Sequence, residues 1–235
     1  MNEVAAHAIV TSAGKGERLG DPVSKLEVEL LSKPLILHTL LAFEQAHRIS
    51  TVILTVPGDR LGDWTLERLH SSGAGKVRAV VAGGETRQDS VRRALEEVPD
   101  DADLIVIHDG ARPLVTPFLI DSACSIPDGF DGVVAAIPVT DTVKKVRDAS
   151  VQFTPERSTL VAVQTPQCFK SEAIKRAHRL AAESGFDATD DSSLVERAGG
   201  RVAIIEGSRE NFKVTFPDDV LRARIVLEKR KGRQG

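Results

Sequence analysis

Short apolar runs alternate with helix-patterned stretches from Val4 to Ile137, and this alternation restricts the fold more than any other feature of the chain. The runs Val4–Thr11, Thr51–Val56, Val77–Val81, Leu104–His108 and Gly132–Ile137 read as buried strands. Between them, Pro34–His47, Arg60–His70 and Gln88–Glu97 carry helical spacing, and Thr116-Pro117 opens a further helix. Strands and helices that alternate over short connections predict parallel strands, right-handed crossovers and helices on both faces. Ligands of such sheets collect beyond the carboxyl ends of the strands.

Three loops fall at those ends. Ser12–Arg18 follows the first strand, Gly83–Ser90 the third and Asp109–Pro113 the fourth. In the first, the backbone N–H groups of Ala13, Gly14, Lys15 and Gly16 can approach an anion without a Cβ in the way at the glycines. Lys15, Arg18 and Lys25 add positive charge, so the stretch reads as a polyphosphate cradle. It is no Walker loop, since no Gly-Lys-Ser or Gly-Lys-Thr closes it. It is no dinucleotide fingerprint either, since Leu19 stands where the third glycine belongs.

In His108-Asp109-Gly110-Ala111-Arg112-Pro113, Asp109 suits a ribose hydroxyl or a hydrated metal ion, and Arg112 suits a phosphate. The same residues also fit an Asp–Arg pair that shapes a turn. Gly83, Gly84, Arg87, Asp89 and Ser90 suit a pocket for a base, and equally a strand exit with Asp89 on a helix dipole. Taken singly, Arg157, Thr165, Thr189 and Lys213 read as ordinary surface residues, with Thr189 a helix N-cap and Asp190 and Asp191 complementing the dipole.

From Val139 to Thr165 the rhythm breaks. Thr140–Val146 alternates like a half-exposed strand, Leu160–Val163 is expected to return beside it, and the turn-rich stretch between completes a projecting β-arm. Its open edges invite a second subunit. Beyond it we expect helices over Ser171–Ser184, Asp190–Ala198 and from Pro217, strands over Arg201–Glu206 and Phe212–Thr215, and a solvated basic tail at Lys229–Arg233. The expected fold is therefore α/β: a Rossmann-like, mostly parallel twisted sheet with helices on both faces and the arm at about 139–164, in one domain over 1–235.

Composition narrows the partners. The net charge of −3 gives no global field for nucleic acid or an anionic membrane, so local cations must bind any phosphate. At 4% aromatics with no Tyr, stacking platforms for single strands are not expected. Cys124 and Cys168 lack metal or disulfide spacing, which fits a reducing cytoplasm. No apolar run is long enough to span a membrane.

Taken together, Ser12-Ala13-Gly14-x-Gly16-x-Arg18-Leu19-Gly20, Lys25, Gly83-Gly84-x-x-Arg87-x-x-Ser90-Val91, Asp109-x-Ala111-Arg112-Pro113, Asp141-Thr142-Val143-Lys144, Gln164-Thr165-Pro166-Gln167, Thr189-Asp190-Asp191 and Phe212-Lys213-Val214-Thr215-x-Pro217-x-Asp219 resemble the 2-C-methyl-D-erythritol 4-phosphate cytidylyltransferase family of the non-mevalonate isoprenoid pathway. The resemblance runs from about Ala8 to Leu221. It implies attack of the phosphate of methylerythritol phosphate on the α-phosphorus of CTP, with pyrophosphate leaving. It implies that Arg18 and Lys25 stabilise the transition state, with Arg157 and Lys213 counted beside them as catalytic groups. It implies that Ala13, Gly14, Lys15 and Gly16 hold the triphosphate, that Gly83, Gly84 and Ser90 read the cytosine, that Asp109 meets the ribose and that Gly110 belongs to the nucleotide site. Arg112, Thr142, Arg157, Thr165, Thr189 and Lys213 would surround the phosphorylated alcohol. Mg²⁺ would be held by the CTP phosphates, with no protein metal site. A homodimer is implied, the arm carrying Thr142 and Arg157 to the other protomer's site.

Three positions depart from the family pattern: Ser24 stands where proline is usual before the lysine, and Ser12 and Gly110 each stand where alanine is common. Ser24 leaves its loop freer than proline would. A ribitol 5-phosphate cytidylyltransferase would share this fold and chemistry, and a non-catalytic nucleotide-binding protein would share the fold.

Overall fold

The computed structural model describes residues 6–14 and 27–232. Val4, Ala5, Lys15, Gly16, Arg18, Ser24 and Lys25, together with Arg233, lie outside the described residues. In chain order the elements are β1 (Ala6–Thr11), β2 (Glu29–Leu30), β3 (Lys33–Pro34), α1 (Leu35–Gln45), β4 (Ile49–Val56), α2 (Leu66–Ser71), β5 (Val77–Ala82), α3 (Arg87–Leu95), β6 (Leu104–Asp109) and α4 (Pro117–Ala123). They continue with β7 (Gly132–Pro138), β8 (Lys145–Arg147), β9 (Ser150–Phe153), β10 (Val161–Lys170), α5 (Ser171–Ser184), α6 (Asp191–Arg197), β11 (Val202–Glu206) and α7 (Pro217–Lys231).

Seven strands form one sheet in the order β11-β7-β10-β6-β1-β4-β5. Only β10 runs against its neighbours in this sheet; the other pairings are parallel. The period of two divides each strand between two cores. Val10, Leu54, Val106 and Cys168 pack with α1, α2 and α4 through Leu40, Phe43, Leu69 and Ile120. Ile9, Ile53, Ile105, Ile107 and Phe169 pack on the opposite face with α3, α5 and α6 through Val91, Ile174 and Leu194. The mostly parallel sheet covered on both faces is the α/β architecture expected from the alternation of strands and helices.

Several details differ from the sequence reading. The helix expected over Arg60–His70 is split into a 3₁₀ turn at Gly58–Asp63 and the short α2, because Thr65 caps a new helix by accepting from the Arg68 N–H at 3.2 Å. Phe212–Thr215 takes no strand pairing; Val214 instead donates its N–H to the Ala111 carbonyl, 2.8 Å, which ties this stretch to the loop after β6. The expected tail is ordered helix through Lys231: Arg230 donates to the Leu114 carbonyl at 3.0 Å and to Glu210 at 2.9 Å. In α7, Ala223 is buried while Leu221 and Ile225 stay exposed.

The arm is also rebuilt. Thr140–Val146 is not one long strand; β8 and β9 form a small hairpin closed by Asp148 and Ala149, both at positive φ (49° and 57°). That two-residue turn matches the twist of its strands. Leu160–Val163 does not return beside it. Val161, Ala162 and Val163 belong to β10 and pair with Pro138, Ile137 and Ala136 in the main sheet. Inter-strand hydrogen bonding with a buried neighbour outweighs pairing with a short, exposed hairpin. Among the described residues, no helix is long and apolar enough to cross a membrane.

Candidate active site

The centre of the site is Asp109, the last residue of β6, buried at 6% exposure. Burial alone would push its carboxyl up, but Arg87, Lys213 and Arg112 overcome that and hold it well below the usual carboxylate range. Arg87 Nε donates to Oδ1 at 3.0 Å, Lys213 Nζ lies 2.9 Å from Oδ2, and Arg112 Nε lies 3.6 Å from Oδ2. A simple Asp–Arg turn needs one cation; among the described residues this carboxylate faces three, from the start of α3, the loop after β6 and the segment before α7.

Each cation is itself fixed. Arg87 opens α3, whose N-cap Thr86 accepts from the Asp89 N–H at 3.0 Å. Its Nη1 donates to Asp191 Oδ2 at 2.6 Å. Burial would lower the Arg87 pKa, but Asp191 and Asp109 raise it, so the guanidinium stays charged. Arg112 Nη1 donates to the Asn211 carbonyl at 2.8 Å, and burial lowers its pKa. Asn211 Nδ2 donates to the Thr165 carbonyl at 2.8 Å, linking the Lys213 segment to β10.

Thr165 and His108 support Asp109 from below. The Asp109 N–H donates to Thr165 Oγ1 at 3.0 Å, and that hydroxyl lies 3.1 Å from His108 Nδ1. Burial pushes the His108 pKa down to about 3, so the ring is neutral. The ladder between β10 and β7 is irregular from Val163 to Gln167. Such a break turns side chains off the strict alternation, and both Gln164 and Thr165 line the cavity described next.

Beside Asp109 lies a cavity of about 450 Å³. Arg87, Asp109, Arg112, Thr165, Thr189 and Lys213 are among its lining residues. The structure therefore brings together four of the residues that sequence reasoning named for the alcohol. Thr142 and Arg157 are not among the lining residues; they sit exposed on the arm, where Arg157 donates to the Thr140 carbonyl at 2.8 Å. Thr189 is not the helix cap. Asp190 caps α6, accepting from the Ser193 N–H at 3.1 Å, and Asp191 is a buried ion-pair partner, not a surface charge on the dipole.

The remaining loop residues meet at the end of β1. A Cβ on Gly83 would fall 2.0 Å from Ala13 Cβ, and one on Gly110 would fall 1.9 Å from Ser12 Oγ, so the β5 and β6 loops close on the β1 loop from either side. Ser90 is buried; its hydroxyl accepts from the Gly84 N–H at 3.0 Å and donates to the Thr86 carbonyl at 2.9 Å, which shapes the Gly83-Gly84 loop from inside. Sequence reasoning missed Asp191, His178, Asn211 and Gln167 as members of this polar network. The Thr189-Asp190-Asp191 run was the available signal for Asp191 and the Gln164-Thr165-Pro166-Gln167 run for Gln167; nothing local marks His178 or Asn211.

A sequence profile of the 2-C-methyl-D-erythritol 4-phosphate cytidylyltransferase family matches residues 6–229. The chain belongs to that family. As a family member it is a cytidylyltransferase of the isoprenoid route that the family's substrate defines. It is 40% identical over 224 residues to the cytidylyltransferase of that name from Alkaliphilus metalliredigens, covering 95% of this chain and 93% of the relative. It is 42% identical over 227 residues to the one from Desulforamulus reducens, covering 95% and 96%. Among solved structures, the 4-diphosphocytidyl-2C-methyl-D-erythritol synthase of Anaerococcus prevotii aligns with a TM-score of 0.84 at 27% identity, over 97% of each chain.

Proposed function

We propose that this cytidylyltransferase joins CTP and 2-C-methyl-D-erythritol 4-phosphate into 4-diphosphocytidyl-2-C-methyl-D-erythritol and pyrophosphate. The observation that carries the reading is the Asp109 cluster: one carboxylate and three cations at the edge of a 450 Å³ cavity, at the carboxyl ends of parallel strands. A family match over nearly the whole chain supplies the substrates.

An oxygen of the alcohol's phosphate attacks the α-phosphorus of CTP. The new O–P bond forms as the bond to the β-phosphate oxygen breaks, and its electron pair leaves on pyrophosphate. No protein nucleophile is needed; the work is alignment of two anions and offsetting charge on a five-coordinate phosphorus. Arg18 and Lys25 take the second task, with Ala13–Gly16 on the triphosphate, in a segment that is largely outside the described residues. Asp109 accepts from a ribose hydroxyl. The Gly83-Gly84 backbone, held by Ser90, reads the cytosine. Arg112 and Lys213 grip the incoming phosphate, with Thr165 and Thr189 on the same cavity wall.

We assign Mg²⁺ to the CTP phosphates. The Asp109 oxygens are already faced by cations, which suits an ion carried in on the nucleotide. An ion bound there would supply withdrawal of charge from the phosphates.

We further propose one domain over 1–235, since seven strands, β1 and β11 among them, share a single sheet, with the 139–164 arm docking on a second copy. Val146, Val151 and Phe153 on the arm are 63%, 58% and 52% exposed, a surface that a symmetric partner would cover, bringing Thr142 and Arg157 to its cavity. The cytoplasm, where CTP and reduced thiols such as Cys124 and Cys168 coexist, is the assigned compartment.

The test is pyrophosphate release with CTP and Mg²⁺, with methylerythritol phosphate and ribitol 5-phosphate supplied in turn. Turnover with the first and not the second is expected. Preference for ribitol 5-phosphate would replace the substrate, and release with neither would overturn the reading.

A further inference from the structure

A chain of buried polar groups runs from α5 to the cavity. His178 Nε2 lies 3.1 Å from Asp191 Oδ1, Asp191 Oδ2 accepts from Arg87 Nη1 at 2.6 Å, and Arg87 Nε donates to Asp109 Oδ1 at 3.0 Å. Asp191 is 1% exposed and His178 2%. Stability does not require such a chain: well-packed apolar residues of similar volume commonly do as well as buried ion pairs. Nor is Asp191 needed to cap α6, a task Asp190 performs.

The guanidinium is split between two carboxylates. Its Nη2 is buried with no partner among the described residues, so Asp191 and Asp109 between them set its orientation. Without the Asp191 charge, Arg87 is free to turn its flat fork onto Asp109 alone and take both oxygens in parallel. That rotation would displace Lys213 from Oδ2 and turn the carboxylate plane away from its present direction.

We infer that Asp191 is a positioning residue: through Arg87 it holds the Asp109 carboxylate in the orientation that accepts a ribose hydroxyl, and so sets the preference for a ribonucleotide over a deoxyribonucleotide. The inference rests on the reading of Asp109 as the ribose contact.

The experiment compares kcat/KM for CTP and for 2′-deoxy-CTP in the full-length enzyme, for the native protein, Asp109→Asn, Asp191→Asn, Asp191→Glu and Arg87→Lys. A loss of folded protein lowers both rates together and leaves their ratio unchanged. Asp109→Asn is expected to lower the ratio by about tenfold or more, the worth of a hydrogen bond to a charged group. Asp191→Asn is expected to follow it, with Asp191→Glu recovering part of the ratio. Should Asp191→Asn fail to fold, Arg87→Lys carries the same test, because one ammonium cannot replace the fork between two carboxylates. A native ratio in the Asp191→Asn enzyme, or in Arg87→Lys where Asp191→Asn does not fold, with a lowered ratio in Asp109→Asn, overturns the inference and leaves the ribose reading standing. A native ratio in Asp109→Asn overturns the ribose reading and the inference with it.

Discussion

Gly110 lies so close to Ser12 that a Cβ added to it would fall 1.9 Å from the serine hydroxyl oxygen. Ile36 Cδ1 stands 2.7 Å from the same point and the Thr11 carbonyl oxygen 3.1 Å. The hydroxyl at 12 fills the space that a methyl at 110 would need.

Gly110→Ala is therefore expected to destabilise the protein by about 1–3 kcal/mol, the usual range for forced overpacking. Ser12→Ala combined with Gly110→Ala should recover part of that loss, with an interaction energy of at least about 0.5 kcal/mol in a double-mutant cycle. Urea unfolding of the four proteins measures it, and strictly additive effects would show that the two positions do not share the space.

Lys213 shares Asp109 with Arg87 and Arg112, so its loss leaves the carboxylate with two cations. Lys213→Ala should keep a native circular dichroism spectrum and melting temperature within a few degrees. Its kcat/KM should fall by about 10²-fold or more, the scale seen when one preorganised charge is removed from a reacting centre. A near-native rate would take Lys213 out of the reaction.

Lys25 is judged from its place in the family pattern. Lys25→Ala is expected to cut kcat by about 10²-fold or more while the fold persists. A single-turnover assay with CTP in excess separates this from weakened binding, and a normal rate there would contradict the role.

Arg157 sits on the arm, away from the cavity of its own chain. If the arm completes the partner's site, Arg157→Ala and Lys25→Ala proteins should each be weak alone and regain activity when mixed. Random exchange makes half the dimers mixed, each with one intact site, so about a quarter of the native activity should return. No gain after subunit exchange, verified by differential tagging, argues against a shared site.

The buried site makes stability depend on pH. His108 has a folded pKa of about 3 against an ordinary 6.5, so between those values the unfolded chain binds a proton that the folded chain refuses. Its contribution is complete above pH 6.5 and is lost as pH falls, at up to about 1.4 kcal/mol per pH unit. The lowered carboxyls of Asp109 and Asp191 act in the same direction below the ordinary carboxylate range. Urea midpoints should drop steadily from neutral pH toward about pH 4, and His108→Gln should flatten the upper part of that slope. An unchanged slope in the variant would show that His108 is not the titrating group.

Much of this was legible in one dimension. Runs such as Leu104–His108 and Gly132–Ile137 announce strands because a sheet buried on both faces demands continuous apolar side chains. Thr116-Pro117 announces a helix start because a hydroxyl cap and a fixed φ act on their immediate neighbours. The loop motifs were visible for the same reason: glycine, arginine and aspartate in a short span state which backbone approaches and charges are locally available.

What remained hidden depends on partners distant in the chain. Leu160–Val163 reads equally well beside the arm or beside β7, and only the competition between a buried sheet and an exposed hairpin chooses β7. Asp191 reads as a dipole charge until Arg87, 104 residues away, arrives beside it. Thus the sequence by itself determined the class of fold and the family. The tertiary structure alone decided which cations meet at Asp109 and how its carboxylate is aimed. A buried charge must be neutralised by whatever folding brings within a few ångströms, and that choice is written in no local pattern.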